Sequence, residues 1–344
     1  MDFKKILFAQ ILILGVSFCL LFAGVLQTGS QTHETTARQN IFESEVAPKL
    51  KKFPNTYSLK PKNGFSFVPT AQASGEYLSA NAYIAVDLDS GEILLEGNRE
   101  ARVSIASLTK IMTSVVVLDL VTPDSKFVVS ENAASQIPTK IGVVAGEEME
   151  LSELLHAALL TSANDAVEVI KEGVDVKYGE EVFIKAMNEK AKFIGLENTS
   201  FDNPQGFDGQ ENYSTASDLA ILSHYALTHY PLITEIVKKD YEFISANSYH
   251  KQFDLYNWNG LIGVYPNTSG IKIGSTGRAG KTTVVVSERD GKQVLAVLLG
   301  APGILERDLW AAALLDDGFV KLGLDPVGVT EEDLYTKYAT WQYF

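Results

Sequence analysis

The sequence predicts an α+β fold, an antiparallel sheet flanked by helices with a helical insert between its strands. Three observations carry that reading. Strand-like segments stand at both ends of the folded region, with helix-period segments between them. Hairpin turns join neighbouring strands, which pairs them antiparallel. The chain has 344 residues, 46% of them apolar, enough for a substantial core.

The elements follow in order. Lys4-Lys5 precede an apolar run from Ile6 to Leu26, in which only Gln10 and Ser17 are clearly polar. At 1.5 Å per residue this run spans about 30 Å, one hydrocarbon core. A secretory apolar core is usually shorter, and no Ala-x-Ala site follows. Residues 1–27 are therefore expected to be an uncleaved membrane anchor, with a cleaved signal peptide as the alternative. The leading lysines put the N-terminus inside, so the rest lies outside the cytoplasmic membrane under either reading. Cys19 is the single cysteine, so no intrachain disulfide can form. Phe18 before it argues against a lipoprotein signal.

Residues 28–79 are polar, with scattered prolines and no clean period, and read as a flexible spacer. The main folded domain is expected at 80–325, followed by a short tail at 326–344. Ala82 to Asp87 and Glu92 to Leu95 are predicted strands, joined by a hairpin at Asp89-Ser90-Gly91. A helix begins near Ser107 and buries Ile111, Met112, Val115, Val116 and Leu120. Further helices are expected from Leu151 to Leu160, from Ala166, from Tyr178 to Ile194 with a stop at Gly195, and from Ser217 to Tyr225 capped by Thr215. Gly270 to Ser275, Thr282 to Ser287 and Gln293 to Leu299 return to strand pattern, with a turn at Arg289-Asp290-Gly291. A last helix runs from Leu305 to Phe319.

The net charge of −14 disfavours nucleic-acid binding, which calls for a basic face. The five histidines, at 33, 156, 224, 229 and 250, show no metal-ligand spacing, so neither metal nor cofactor is expected.

Chemistry concentrates in three clusters: Ser107-Leu108-Thr109-Lys110, Ser162-Ala163-Asn164 and Lys272-Ile273-Gly274-Ser275-Thr276. Spacing alone does not single them out. S-x-x-K also occurs at Ser248/Lys251 and Ser269/Lys272, and S-x-N at Ser79, Ser130 and Ser245. Context separates them. Ser107 is the S-x-x-K serine that starts a strongly helical segment, where Ser and Lys share one face. The helix start also offers free backbone N–H groups. Each cluster has a structural reading as well. Ser107 can be only a helix cap, Ser162 can sit at a junction of two caps, and Lys272 can be an edge-strand lysine that blocks sheet pairing.

Order and surroundings give the clusters a family likeness. From about Ala80 to Gly323 the chain resembles the D-alanyl-D-alanine carboxypeptidases, the low-molecular-weight penicillin-binding proteins. The likeness rests on Ala106 to Thr113, on Leu154-Leu155 through Thr161 to Ala166, on Met187-Asn188 through Gly195-Leu196 and Phe201 to Gly206, and on Ser269 to Thr276 with Ala279-Gly280. Three positions depart from the family pattern. Ile105 stands where Pro is usual, Ala163 where Gly is frequent, and Ile273 where the K-T-G motif has its Thr.

The resemblance implies a β-lactamase/DD-peptidase-like fold and a serine peptidase that removes the terminal D-alanine of peptidoglycan stem peptides. It implies β-lactams as acylating inhibitors. Ser107 is then the nucleophile, Lys110 its base and Ser162 a proton relay. Asn164, Lys272, Gly274, Ser275 and Thr276 hold substrate, and Arg307 matches a family arginine that binds the terminal carboxylate. No second β-domain and no C-terminal anchor are expected after residue 325, so residues 6–26 would attach the chain to the membrane. Three other readings stay open: a D,D-endopeptidase, a class A-like β-lactamase, and a catalytically weak wall-binding protein favoured by Ile273. The region after Ser162 lacks the E-x-x-x-N spacing of a class A enzyme.

Overall fold

Asp87 accepts hydrogen bonds from Asp89 N at 3.1 Å and Ser90 Oγ at 2.6 Å, and so fixes the first hairpin. Gly91, at φ +75°, supplies the left-handed residue that the turn requires. The strands it joins are β1, Ala82–Asp87, and β2, Ile93–Gly97. The computed structural model describes residues 38–61 and 76–341. The expected anchor at 1–27, and the parts of the spacer at 28–37 and 62–75, lie outside the described residues. Among the described residues no helix is long and apolar enough to cross a membrane.

The chain divides into two units, Met1–Pro48 and Lys49–Phe344. In the first, the described part is helical and includes a π-helical stretch, Phe42–Val46. The second holds everything that follows. After β2 come α1, Thr109–Leu120; β3, Lys126–Val128; α2, Glu131–Ala134; and β4, Glu148–Glu150. Then follow α3, Leu151–Leu159; α4, Asn164–Tyr178; α5, Val182–Phe193; α6, Ala216–His229; and α7, Pro231–Val237. The chain closes with β5, Tyr241–Ile244; β6, Phe253–Tyr256; β7, Thr268–Thr276; β8, Gly280–Arg289; β9, Lys292–Ala301; α8, Ile304–Lys321; and α9, Glu331–Tyr338.

The main sheet has strand order β2-β1-β9-β8-β7, with every pair antiparallel. The N-terminal hairpin thus lies beside the C-terminal meander, and the helices between them form the insert, as the sequence predicts. One face is covered by α8, whose Trp310, Leu314 and Phe319 share a cluster with Ala85, Val294, Ala296 and Leu298. The alternate residues Ile84, Val86, Leu295, Val297 and Leu299 are buried too, and α6 packs against β1, β8 and β9. Burial of both faces explains why these strands read as apolar runs rather than as alternation.

Three expectations are corrected. The single helix expected from Tyr178 to Ile194 is broken. Gly179 takes φ +116°, and the new helix starts at Val182 with Phe183 N donating to Asp175 Oδ1 at 2.9 Å. Residues 49–60, expected within the flexible spacer, are fastened to the body. Lys60 bridges to the turn at Gly91, Tyr57 stacks on His224 with ring centres 3.6 Å apart, and Asn55 Nδ2 donates to Ile194 O at 2.9 Å. The expected tail at 326–344 carries α9, whose Leu334 is fully buried and whose Tyr338 hydroxyl donates to Asp308 Oδ2 at 2.8 Å.

Candidate active site

The first cluster is built on a strained turn. Ala106–Leu108 form a 3-10 turn that leads into α1, and Ala106 sits at φ +51°. A left-handed alanine costs on the order of 1 kcal/mol and persists only where its surroundings impose it. Here the surroundings are two glycines. A Cβ on Gly206 would lie 2.0 Å from Ala106 O, and one on Gly274 would lie 2.9 Å from Ser107 N. Neither position has room for a side chain, so the backbone from both sides closes on the turn that carries Ser107.

Three residues after Ser107 on the same helical face, the Lys110 Nζ reaches the Ser107 Oγ at 2.8 Å. It also reaches Asn164 Oδ1 at 2.8 Å and Gln205 O at 2.7 Å. The Asn164 amide is oriented by its other end, because Nδ2 donates to Ile137 O at 3.0 Å. Lys110 is fully buried, and burial lowers its pKa to about 7; the Asp165 carboxylate opposes that shift. In the neutral amine, two N–H groups serve the two carbonyl oxygens. The lone pair is then left to face the serine hydroxyl. Asp165 is itself occupied, accepting from the backbone N–H groups of Ile141, Gly142, Val143 and Ala166.

Ser162 lies between α3 and α4 at φ +62°, a second strained residue in the site. Its carbonyl accepts from Thr139 Oγ1 at 2.9 Å. Lys272 reaches the site through a bulge. The β7–β8 register slips between Gly270 and Lys272, leaving Ile271 as the extra residue, and bulges of this kind re-aim a side chain. The Lys272 ammonium is buried and donates to Ile273 O at 2.9 Å. Its pKa is pushed well down, first by burial and then by the neighbouring Lys110 and Arg307 side chains.

A cleft of about 630 Å³ joins these groups, lined by Ser107, Ser162, Asn164, Gly274, Ser275, Thr276 and Arg307 among the expected residues. Lys110 and Lys272 are buried side chains that do not line it. A larger cavity of about 810 Å³, near His224, Thr268 and Glu288, holds none of them. Of the recurrent motifs, Ser130 caps α2 and donates to Glu172 Oε2, and Lys251 donates to Gly142 O.

Two expected carboxylate holders arrive already partnered. The Thr276 hydroxyl donates to Asp208 Oδ1 at 2.7 Å. Arg307 forks onto its neighbour Asp308 through Nε at 2.7 Å and Nη2 at 2.8 Å. Ile273 presents an apolar side chain to the cleft, 9% exposed.

Sequence reading missed several contributors. Gln205 acts through a backbone carbonyl, which no side-chain pattern reveals; its amide is held by Glu168. Trp258, Asp208 and Lys281 line the cleft without being motif residues themselves. The register Ser275↔Lys281 across the β7–β8 hairpin was the signal that could have found Lys281.

Comparison with known proteins agrees with the geometry. The family model for D-alanyl-D-alanine carboxypeptidase matches residues 69–303. The D-alanyl-D-alanine carboxypeptidase DacF of Bacillus subtilis is 34% identical over 253 residues, covering 72% of this chain and 64% of the relative. DacC of Escherichia coli is 31% identical, covering 69% of this chain and 62% of the relative. The chain thus spans somewhat under two thirds of these relatives' length. The Streptomyces K15 DD-transpeptidase superposes with a TM-score of 0.66 at 26% identity, covering 70% of this chain and 97% of that one. Penicillin-binding protein D2 of Listeria monocytogenes, solved in its ampicillin-bound form, gives 0.60 at 30% identity, covering 71% of this chain and 98% of that one. With the family model matched over more than half its length, the chain belongs to the D-alanyl-D-alanine carboxypeptidase family.

Proposed function

We propose that this chain is a serine-type D-alanyl-D-alanine carboxypeptidase acting on peptidoglycan stem peptides, and that β-lactams acylate the same serine. The observation that carries the reading is the lowered-pKa Lys110 amine 2.8 Å from Ser107 Oγ, with its other contacts on two carbonyl oxygens. A serine hydroxyl needs a base before it attacks. Lys110 takes the Ser107 proton as Oγ adds to the carbonyl between the two D-alanines. The backbone N–H groups of Ser107 and Ser275 stabilise the oxyanion. Ser162 passes a proton to the nitrogen of the leaving D-alanine, and Asn164 orients Lys110 and the substrate amide. Water then releases the shortened peptide from Ser107. The wall formed by Ser275, Thr276 and Arg307, with Lys272 behind it, receives the terminal carboxylate.

The site works outside the cytoplasmic membrane, held there by residues 6–26, with residues 80–325 as the catalytic region. Fluorescent penicillin should label the purified chain and the chain should release D-alanine from a stem pentapeptide; Ser107→Ala should abolish both. Labelling that survives in Ser107→Ala would remove Ser107 as the nucleophile.

A further inference from the structure

The carboxylate wall has a deficit of donors. A substrate carboxylate needs N–H or O–H groups aimed at it and a cation nearby. At 273 the strand offers an isoleucine. A threonine hydroxyl has one proton, and Thr276 gives its own to Asp208, whose carboxylate also accepts from Arg278 N at 3.1 Å. Asp208 lines the cleft, so an anion lies beside that hydroxyl. The Arg307 guanidinium faces Asp308 with two groups, and its Nη2 also donates to Trp258 O at 3.1 Å. Asp308 is held in place by the Tyr338 hydroxyl of α9. Arg307 therefore comes to the cleft with its charge matched.

The opposite strand supplies what is missing. Lys281 stands in register with Ser275 across the β7–β8 hairpin and lines the cleft. Its Nζ donates to Ser275 Oγ at 2.6 Å. An ammonium has three protons, and this bond uses one. Ser275 Oγ accepts that bond, which leaves its own proton to donate. Lys281 makes no ion pair among the described residues. The pair thus offers a cation and a hydroxyl proton on one wall of the cleft.

We infer that Lys281, with the Ser275 hydroxyl it holds, grips the terminal carboxylate of the substrate. Lys281 is then the specificity-determining residue that distinguishes a free C-terminus from a blocked one. This rests on the proposed carboxypeptidase reading and names the group that selects its substrate.

The test compares two stem pentapeptides, one ending in free D-Ala-D-Ala and one amidated at the terminal carboxyl. The wild-type chain should favour the free acid. Lys281→Met should lower kcat/KM for the acid roughly tenfold to a hundredfold, the range of one charged hydrogen bond, mainly through KM. The amide should change by no more than about twofold, which also reports that the variant is folded. Lys281→Arg should keep most of the preference. An unchanged acid preference in Lys281→Met, or equal losses on acid and amide, overturns the inference alone. A wild-type chain that cleaves neither peptide, releasing no D-alanine from the acid and no D-alaninamide from the amide, and takes no penicillin overturns the functional reading, and this inference with it.

Discussion

Lys110 and Lys190 are both fully buried, and each places its Nζ against three oxygens. The difference is one carboxylate. Lys190 meets Asp119 Oδ2 at 2.7 Å, with Leu50 O and the Tyr225 hydroxyl at 2.8 Å each. Lys110 meets only neutral oxygens: a hydroxyl, an amide and a peptide carbonyl. Burial disfavours charge on both lysines. At Lys190 the attraction of Asp119 opposes it, and the pair ties α1 to α5 beneath the fastened segment at residue 50. At Lys110 the opposing anion, Asp165, is already bound by four backbone N–H groups. The neighbours thus suit Lys190 to architecture and, in the proposed mechanism, Lys110 to proton transfer.

Substitution separates the two roles. Lys110→Met should lower the acylation rate by about 100- to 10,000-fold, the usual worth of a general base, while the thermal midpoint stays close to wild type. Stopped-flow acylation and a melting curve check both halves. Lys190→Met should do the reverse. It leaves Asp119 buried without its cation and should cost about 3–5 kcal/mol in a denaturant titration, with acylation nearly unchanged in whatever remains folded. Adding Asp119→Leu should recover most of that loss, because the uncompensated charge is gone. A smaller effect should come from Asn164→Asp, which gives Lys110 the carboxylate that Lys190 has. It should raise the midpoint of the acylation pH profile by about 1 to 3 pH units. An unmoved midpoint would detach Asn164 from the base.

Sequence reading located what is encoded locally. Helices and strands with long apolar stripes, such as Ile111 to Leu120 or Gln293 to Leu299, carry their period in contiguous residues. The antiparallel order followed from the turns at Asp89-Ser90-Gly91 and Arg289-Asp290-Gly291. The short pairs β3–β4 and β5–β6 escaped because three or four half-exposed residues make no readable period. The polar composition of residues 49–60 resembles a linker, yet their peptide groups and Tyr57 are tied to distant partners that composition does not show. The residues assigned to the site by motif meet in one place. Their partners do not show in sequence: the Gln205 carbonyl is backbone, and Asp208 and Lys281 act across loops and strands.

The central claim is that Lys110 is a base because it is buried among neutral oxygens. The most direct measurement is the acylation rate of the wild-type chain by fluorescent penicillin between pH 5 and 10. A pKa lowered to about 7 makes the amine neutral above that pH, so the rate should climb through about 7 and then level. A rate that keeps rising toward an ordinary lysine value near about 10, or one that does not depend on pH, would contradict the account.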